Sequence, residues 1–144
     1  TQLTNLEYAL CAEEMGKVFI TTELGGGGTA TARSAAIAKT GVANVMKAAG
    51  ILKGVVEARQ TTWLDMPDGA CFAFAEDGGM IEPLFDLGDM VKTGDVVARI
   101  YPLGRTGADP LEVTAAMDGI LAARHFPGLV KPGDCVSVLA TVID

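Results

Sequence analysis

A chain of 144 residues, 49% hydrophobic and 20% charged, can bury the core of one ordinary domain or two small ones, which excludes a disordered or fibrous polypeptide. A net charge of −7 without any Lys/Arg cluster excludes nucleic acid as a partner, because counterion release needs grouped cations. No apolar run approaches the ~18 residues that span a bilayer, and Thr1-Gln2-Leu3-Thr4-Asn5 has no leader character, so the sequence reads as soluble, untargeted and without a membrane partner.

Thr4-Asn5-Leu6-Glu7 has the capping-box pattern, and Leu3, Leu6 and Leu10 keep helical spacing until Gly16, which predicts a helix over 5–15. The β-branched and apolar run Val18 to Leu24 predicts a buried strand, ended by four glycines, Gly25 to Gly28. Ala35, Ala38, Val42, Val45 and Ala49 recur at three- and four-residue steps and predict a second helix over 31–49 with its exit at Gly50. Gly41 in its middle costs about 1 kcal/mol relative to Ala, so a close packing neighbour or a kink is expected there. Helix, strand and helix in succession belong to an α/β layer, placed at 1–54.

Beyond Gly54 the chain breaks into short apolar runs between Gly, Pro and Asp, as the 18 glycines and only 6% aromatics foreshadow, and a β-rich domain is expected over 55–144. Gly79-Met80-Ile81 leading to Val91-Lys92-Thr93-Gly94-Asp95-Val96-Val97 recurs as Gly119-Ile120-Leu121 leading to Val130-Lys131-Pro132-Gly133-Asp134-Cys135-Val136. The repeat, 79–100 and 119–140, reads as strand, loop, tight turn and strand, with Gly94 and Gly133 where positive φ is needed. It resembles the barrel-sandwich architecture of biotinyl and lipoyl carrier domains, a flattened barrel of two interlocked motifs, over 71–142. The hairpin that would carry the cofactor lysine falls near 105–109 and has none, so the resemblance implies reuse of the fold and not the carrier function. Lys92 and Lys131 lie inside the repeated turns, where a structural role is expected.

The glycine run between strand and helix could cradle a phosphate, but no Gly-Lys-Ser/Thr follows and the third glycine of the dinucleotide fingerprint is missing. Glu23 is more informative, because open α/β sheets place active sites at the carboxyl ends of their strands. By position alone it reads first as a solvated strand-end acid or a charge partner of the helix N-terminus.

Thr21-Thr22-Glu23-Leu24-Gly25-Gly26-Gly27-Gly28-Thr29-Ala30-Thr31-Ala32 resembles the catalytic-Glu segment of the succinylglutamate desuccinylase/aspartoacylase family. Ile81-Glu82-Pro83, the Gly88-Asp89 and Gly94-Asp95 turns, and Ala123-Arg124-His125-Phe126-Pro127-Gly128-Leu129-Val130 resemble the β-domain of its bacterial branch that includes N-acetyl-diaminobutyrate deacetylases. The resemblance implies an α+β fold, the end of a zinc-carboxypeptidase-like α/β layer followed by a barrel-sandwich-like β-domain. It also implies hydrolysis of a small N-acyl amino acid, such as N-acetyl-diaminobutyrate, with Glu23 as the catalytic carboxylate.

In the family zinc is held by a His-x-x-Glu motif and a later His, all before the catalytic Glu, and nothing of this kind precedes Val18. His125 is the only histidine and no Cys-x-x-Cys occurs, so no metal or cofactor ligand is assigned within this chain; Zn ligands are expected in a missing N-terminal part, and the isolated chain is expected to be inert. Cys11, Cys71 and Cys135, odd in number and widely spaced, fit reduced thiols in the cytoplasm. Arg33, His125, Trp63 and Tyr8 are expected in surface, hydrogen-bonding or packing roles. The competing reading is a non-catalytic module whose β-domain mediates homo-oligomerisation or recognition.

Overall fold

The computed structural model describes the backbone of residues 5–104 and 106–143, with side chains from Tyr8 onward. The fold is α+β, two helices and two antiparallel sheets, and it divides into two compact units, one ending at Glu57 and the other running from Ala58. Among the described residues no helix is long and apolar enough to cross a membrane.

In the first unit α1 spans Asn5–Glu14 and α2 spans Ala32–Ala48. The capping box expected at Thr4-Asn5-Leu6-Glu7 lies outside the described side chains. α1 ends in a Schellman turn, with the Gly16 N–H donating to Glu13 O at 2.8 Å and the Lys17 N–H to Ala12 O at 2.9 Å. α2 ends the same way, through Gly50 N–H to Lys47 O and Ile51 N–H to Met46 O. At its start Thr31 and Ser34 form a reciprocal capping box: Thr31 Oγ1 accepts from the Ser34 N–H at 3.0 Å, and Ser34 Oγ from the Thr31 N–H at 2.9 Å.

Two expectations for this unit are corrected. Residues 17–24 form no strand, because a strand is completed by a backbone partner and none of the described residues supplies one. Val18 is 96% exposed instead of buried. Nor does Gly41 have a close neighbour: a Cβ there would meet nothing within 4 Å, because α2 buries none of its residues in this chain.

The second unit contains β1 (Trp63–Asp65), a 3₁₀ turn at Gly69–Cys71, β2 (Phe72–Phe74), β3 (Gly79–Pro83), β4 (Met90–Val91) and β5 (Val96–Tyr101). β6 (Leu111–Thr114), β7 (Gly119–Arg124), β8 (Leu129–Val130) and β9 (Cys135–Ile143) follow. One sheet has the order β6-β5-β3-β8; the other runs β1-β9-β7-β4, with β2 also on β9. Each sheet therefore takes its two central strands from one repeat and an outer strand, β8 or β4, from the other. The sheets interlock in the barrel-sandwich manner without closing into a barrel.

The registers obey the same pseudo-twofold. Gly79 faces Val130 and Met80 faces Leu129, while Gly119 faces Val91 and Ile120 faces Met90. The relation also takes in β2 and β6, since Phe72, Ala73 and Phe74 pair with Val138, Ser137 and Cys135, as Glu112, Val113 and Thr114 pair with Arg99, Ala98 and Val96. Both ladders skip one residue, Val136 in one and Val97 in the other, and both valines are buried. Ile100 and Leu139, Val91 and Val130 join them as equivalent pairs in one core.

Each repeated Lys-x-Gly-Asp turn is closed by its own aspartate. Asp95 Oδ2 accepts from the Lys92 N–H and Asp134 Oδ2 from the Lys131 N–H, both at 2.8 Å. Gly94 and Gly133 have φ of +88° and +87°, where a Cβ would be strained, so glycine recurs at this position.

Candidate functional site

Glu23 is exposed, and among the described residues it makes no hydrogen bond or ion pair. It is followed by a loop in which Gly25, Gly27 and Gly28 take φ of +84°, +67° and +63°, a path that L side chains rarely follow. The Thr29 hydroxyl donates to Gly26 O at 3.3 Å, and the capped Thr31 then starts α2. The sequence thus builds a fixed turn directly after the carboxylate.

Beside it lies an apolar groove of about 410 Å³, lined by Ile20, Thr21, Thr22 and Leu24 on one side and by the Ile37, Val42 and Val45 face of α2 on the other. Glu23 is not part of that lining, so its carboxylate stays outside the apolar surface, where an anion carries no desolvation penalty. The expectation of a carboxylate ending a buried strand gives way to one on an exposed segment.

The remaining candidates are in structural positions. His125 Nε2 lies 3.0 Å from Leu129 O and, because a carbonyl only accepts, donates its proton there, a structural hydrogen bond within the β-unit. Arg33 is exposed at the start of α2. Tyr8 packs against Phe19 in a tilted arrangement with ring centroids 5.5 Å apart, and both Tyr8 and Trp63 are about two-thirds exposed, not core residues. The Lys92 ammonium bonds to Asp118 at 2.9 Å, which raises its pKa and leaves it engaged in the turn.

Zinc, implied by the resemblance, does not fit the residues present. Among the described residues no group of three or more His, Cys, Asp or Glu could hold a metal ion. Two structural residues escaped the sequence reading. Ser34 carries a local signal, a hydroxyl three residues after Thr31, whereas Asn44, which bonds to Glu57 thirteen residues away, carries none.

No family model matches the chain. It is 42% identical over 139 residues to the N-alpha-acetyl-L-2,4-diaminobutyric acid deacetylase of Halomonas elongata, covering 95% of this chain and 41% of that enzyme. A product-bound structure of the ectoine utilization protein EutE (DoeB) from Ruegeria pomeroyi superposes with a TM-score of 0.88 at 53% identity. That match covers 93% of this chain and 41% of that one. The chain is similar to the C-terminal part of proteins of the succinylglutamate desuccinylase/aspartoacylase family. A succinylglutamate desuccinylase/aspartoacylase from Rhodobacter sphaeroides, at 30% identity, shares the fold with a TM-score of 0.87 over 94% of this chain and 44% of its own. The chain thus spans less than half the length of these relatives, one of which is named as a deacetylase and another as a desuccinylase/aspartoacylase.

Proposed function

We propose that the chain is the C-terminal part of a zinc-dependent deacylase that hydrolyses the amide bond of a small N-acyl amino acid, with N-acetyl-diaminobutyrate the first substrate to test. The observation that carries this reading is the 42% identity to an N-acetyl-diaminobutyrate deacetylase sustained along 139 residues, the Glu23 segment within them.

In amide hydrolysis water adds to the acyl carbon, the carbon–nitrogen bond breaks, and the nitrogen must leave protonated. Glu23 takes the proton from the attacking water and passes it to the departing amine, so one carboxylate serves as base and then as acid. An exposed, unpaired carboxylate is free for this, and the glycine turn after it lets substrate approach the backbone closely. The described residues do not fit a zinc site, so the ligands of the metal would come from outside this chain. Alone, the chain is inert.

The three cysteines form no disulfide, which supports a reducing compartment, and we assign the cytoplasm. The test is acetate release from N-acetyl-diaminobutyrate by the enzyme that carries this sequence, together with metal analysis. Chelator-sensitive turnover with one zinc per chain is the expected result. A zinc-loaded enzyme that cleaves no N-acyl amino acid would leave the β-rich unit as an interaction module.

A further inference from the structure

Between α2 and β1, residues 49–62 form neither helix nor strand, and their first part doubles back onto α2. The side-chain amide of Asn44 takes both backbone polar groups of Glu57: Nδ2 donates to Glu57 O at 3.0 Å, and Oδ1 accepts from the Glu57 N–H at 2.9 Å. An amide side chain here does what the second strand does in an antiparallel ladder. Lys47, one turn along the same helix face, places its ammonium 3.3 Å from Glu57 Oε1, and only 14% of its side chain is exposed. A Cβ on Gly54, at φ +136°, would lie 3.2 Å from the Lys47 Cε, so the returning backbone passes directly over the lysine stem.

We infer that Asn44 is a positioning residue that clasps the tether of the β-unit onto α2. The boundary between the two units falls immediately after Glu57. With the clasp closed the free connection to β1 shrinks from residues 49–62 to residues 58–62, and its maximal reach falls from about 50 Å to about 17 Å at ~3.5 Å per residue. By the −3/2 power dependence on tether length, the effective concentration of the β-unit beside the first unit rises about fivefold. The clasp acts through tether length and is independent of which reaction the enzyme performs.

Trypsin provides the test, because Arg59 lies two residues past the clasp and cleavage there requires Glu57 to be free. Asn44→Ala should raise the cutting rate after Arg59 about tenfold, and hydrogen exchange at the Glu57 amide by a similar factor. Glu57→Gln, which removes only the charge of the exposed partner and keeps both backbone groups that Asn44 holds, should change either rate less than about threefold. Unchanged rates in Asn44→Ala overturn the inference. If Asn44→Ala unwinds α2, seen as lost helical circular dichroism, Asn44→Asp decides. It keeps the acceptor for the Glu57 N–H and removes the donor to Glu57 O, so amide exchange at Glu57 and cutting after Arg59 should both accelerate, each by less than in Asn44→Ala. An amide that exchanges in Asn44→Asp as fast as in Asn44→Ala contradicts the clasp. Deacylase activity is not a readout, so this inference and the functional reading can fail separately.

Discussion

Asp118 Oδ1 accepts both the N–H and the hydroxyl of Thr93, at 2.8 and 2.9 Å, so one carboxylate oxygen closes the first repeated turn against the opposite repeat. In the second repeat the equivalents of Thr93 and Asp118 are Pro132 and Gly78. Proline has no N–H to satisfy, and a Cβ at position 78 would lie 3.3 Å from Val130 O and 3.7 Å from the Pro132 Cδ. Donor and acceptor have therefore been exchanged together for a pair that needs neither.

The Thr93 N–H, then the Lys92 ammonium and the Thr93 hydroxyl, hold the Asp118 carboxyl down to about 2. A carboxyl whose pKa is depressed by folding contributes stability that is complete above its unfolded value, near 3.8, and is lost as pH falls through about 2. Asp118→Asn should therefore flatten the fall in stability of the β-unit between about pH 4 and pH 2. Urea midpoints measured across that range check it; parallel curves for the two proteins would count against the linkage.

Gly79 and Gly119 are equivalent positions where strands pass too close for a side chain. A Cβ on Gly79 would collide with Tyr101 O and lie 2.9 Å from Ile100 Cγ2, and one on Gly119 would lie 2.9 Å from Ala140 O. Gly79→Ala and Gly119→Ala should each destabilise the β-unit by about 1–3 kcal/mol in equilibrium denaturation. Gly128→Ala, with nothing within 4 Å, should stay within about 0.5 kcal/mol of wild type.

Gly41 sits mid-helix with open space around it. In this chain Gly41→Ala should favour α2 by about 1 kcal/mol, read as increased helical circular dichroism and a higher melting point. A loss of helicity would mean that Gly41 has a contact in solution after all.

The cysteines should react with iodoacetamide in order of access. Cys11 is exposed, Cys135 is half-buried with its thiol pKa raised by burial, and Cys71 is 1% exposed. Mass spectrometry should show Cys11 modified first, Cys135 slowly and Cys71 only on unfolding. Early modification of Cys71 would contradict the packing around the 3₁₀ turn.

The sequence made some of this legible and hid the rest for physical reasons. The β-repeat could be read because a Lys-x-Gly-Asp turn needs positive φ at one position and an aspartate at the next, which leaves little freedom in residue type. β2 and β6 went unread as partners because Phe72-Ala73-Phe74 and Glu112-Val113-Thr114 share only an inward apolar residue. Their outer positions face different surroundings, with Glu112 bonded to Arg99 at 3.2 Å and Phe72 and Phe74 stacked on each other. The run at 18–24 announced strand propensity, but propensity does not supply a ladder partner. Asn44 and Asp118 act through residues 13 and 25 positions away, and no local pattern encodes such a contact. The glycine path after Glu23 stood out because positive φ constrains residue type, whereas the buried strand expected before it is an exposed segment without a ladder partner.

The most direct measurement of the central claim is the turnover of Glu23→Gln in the deacylase that carries this sequence, at matched zinc content. Removing a general base of this kind should lower kcat by at least about 10² with little change in metal binding. Near-normal turnover in that variant would contradict the assignment of Glu23 as the catalytic carboxylate.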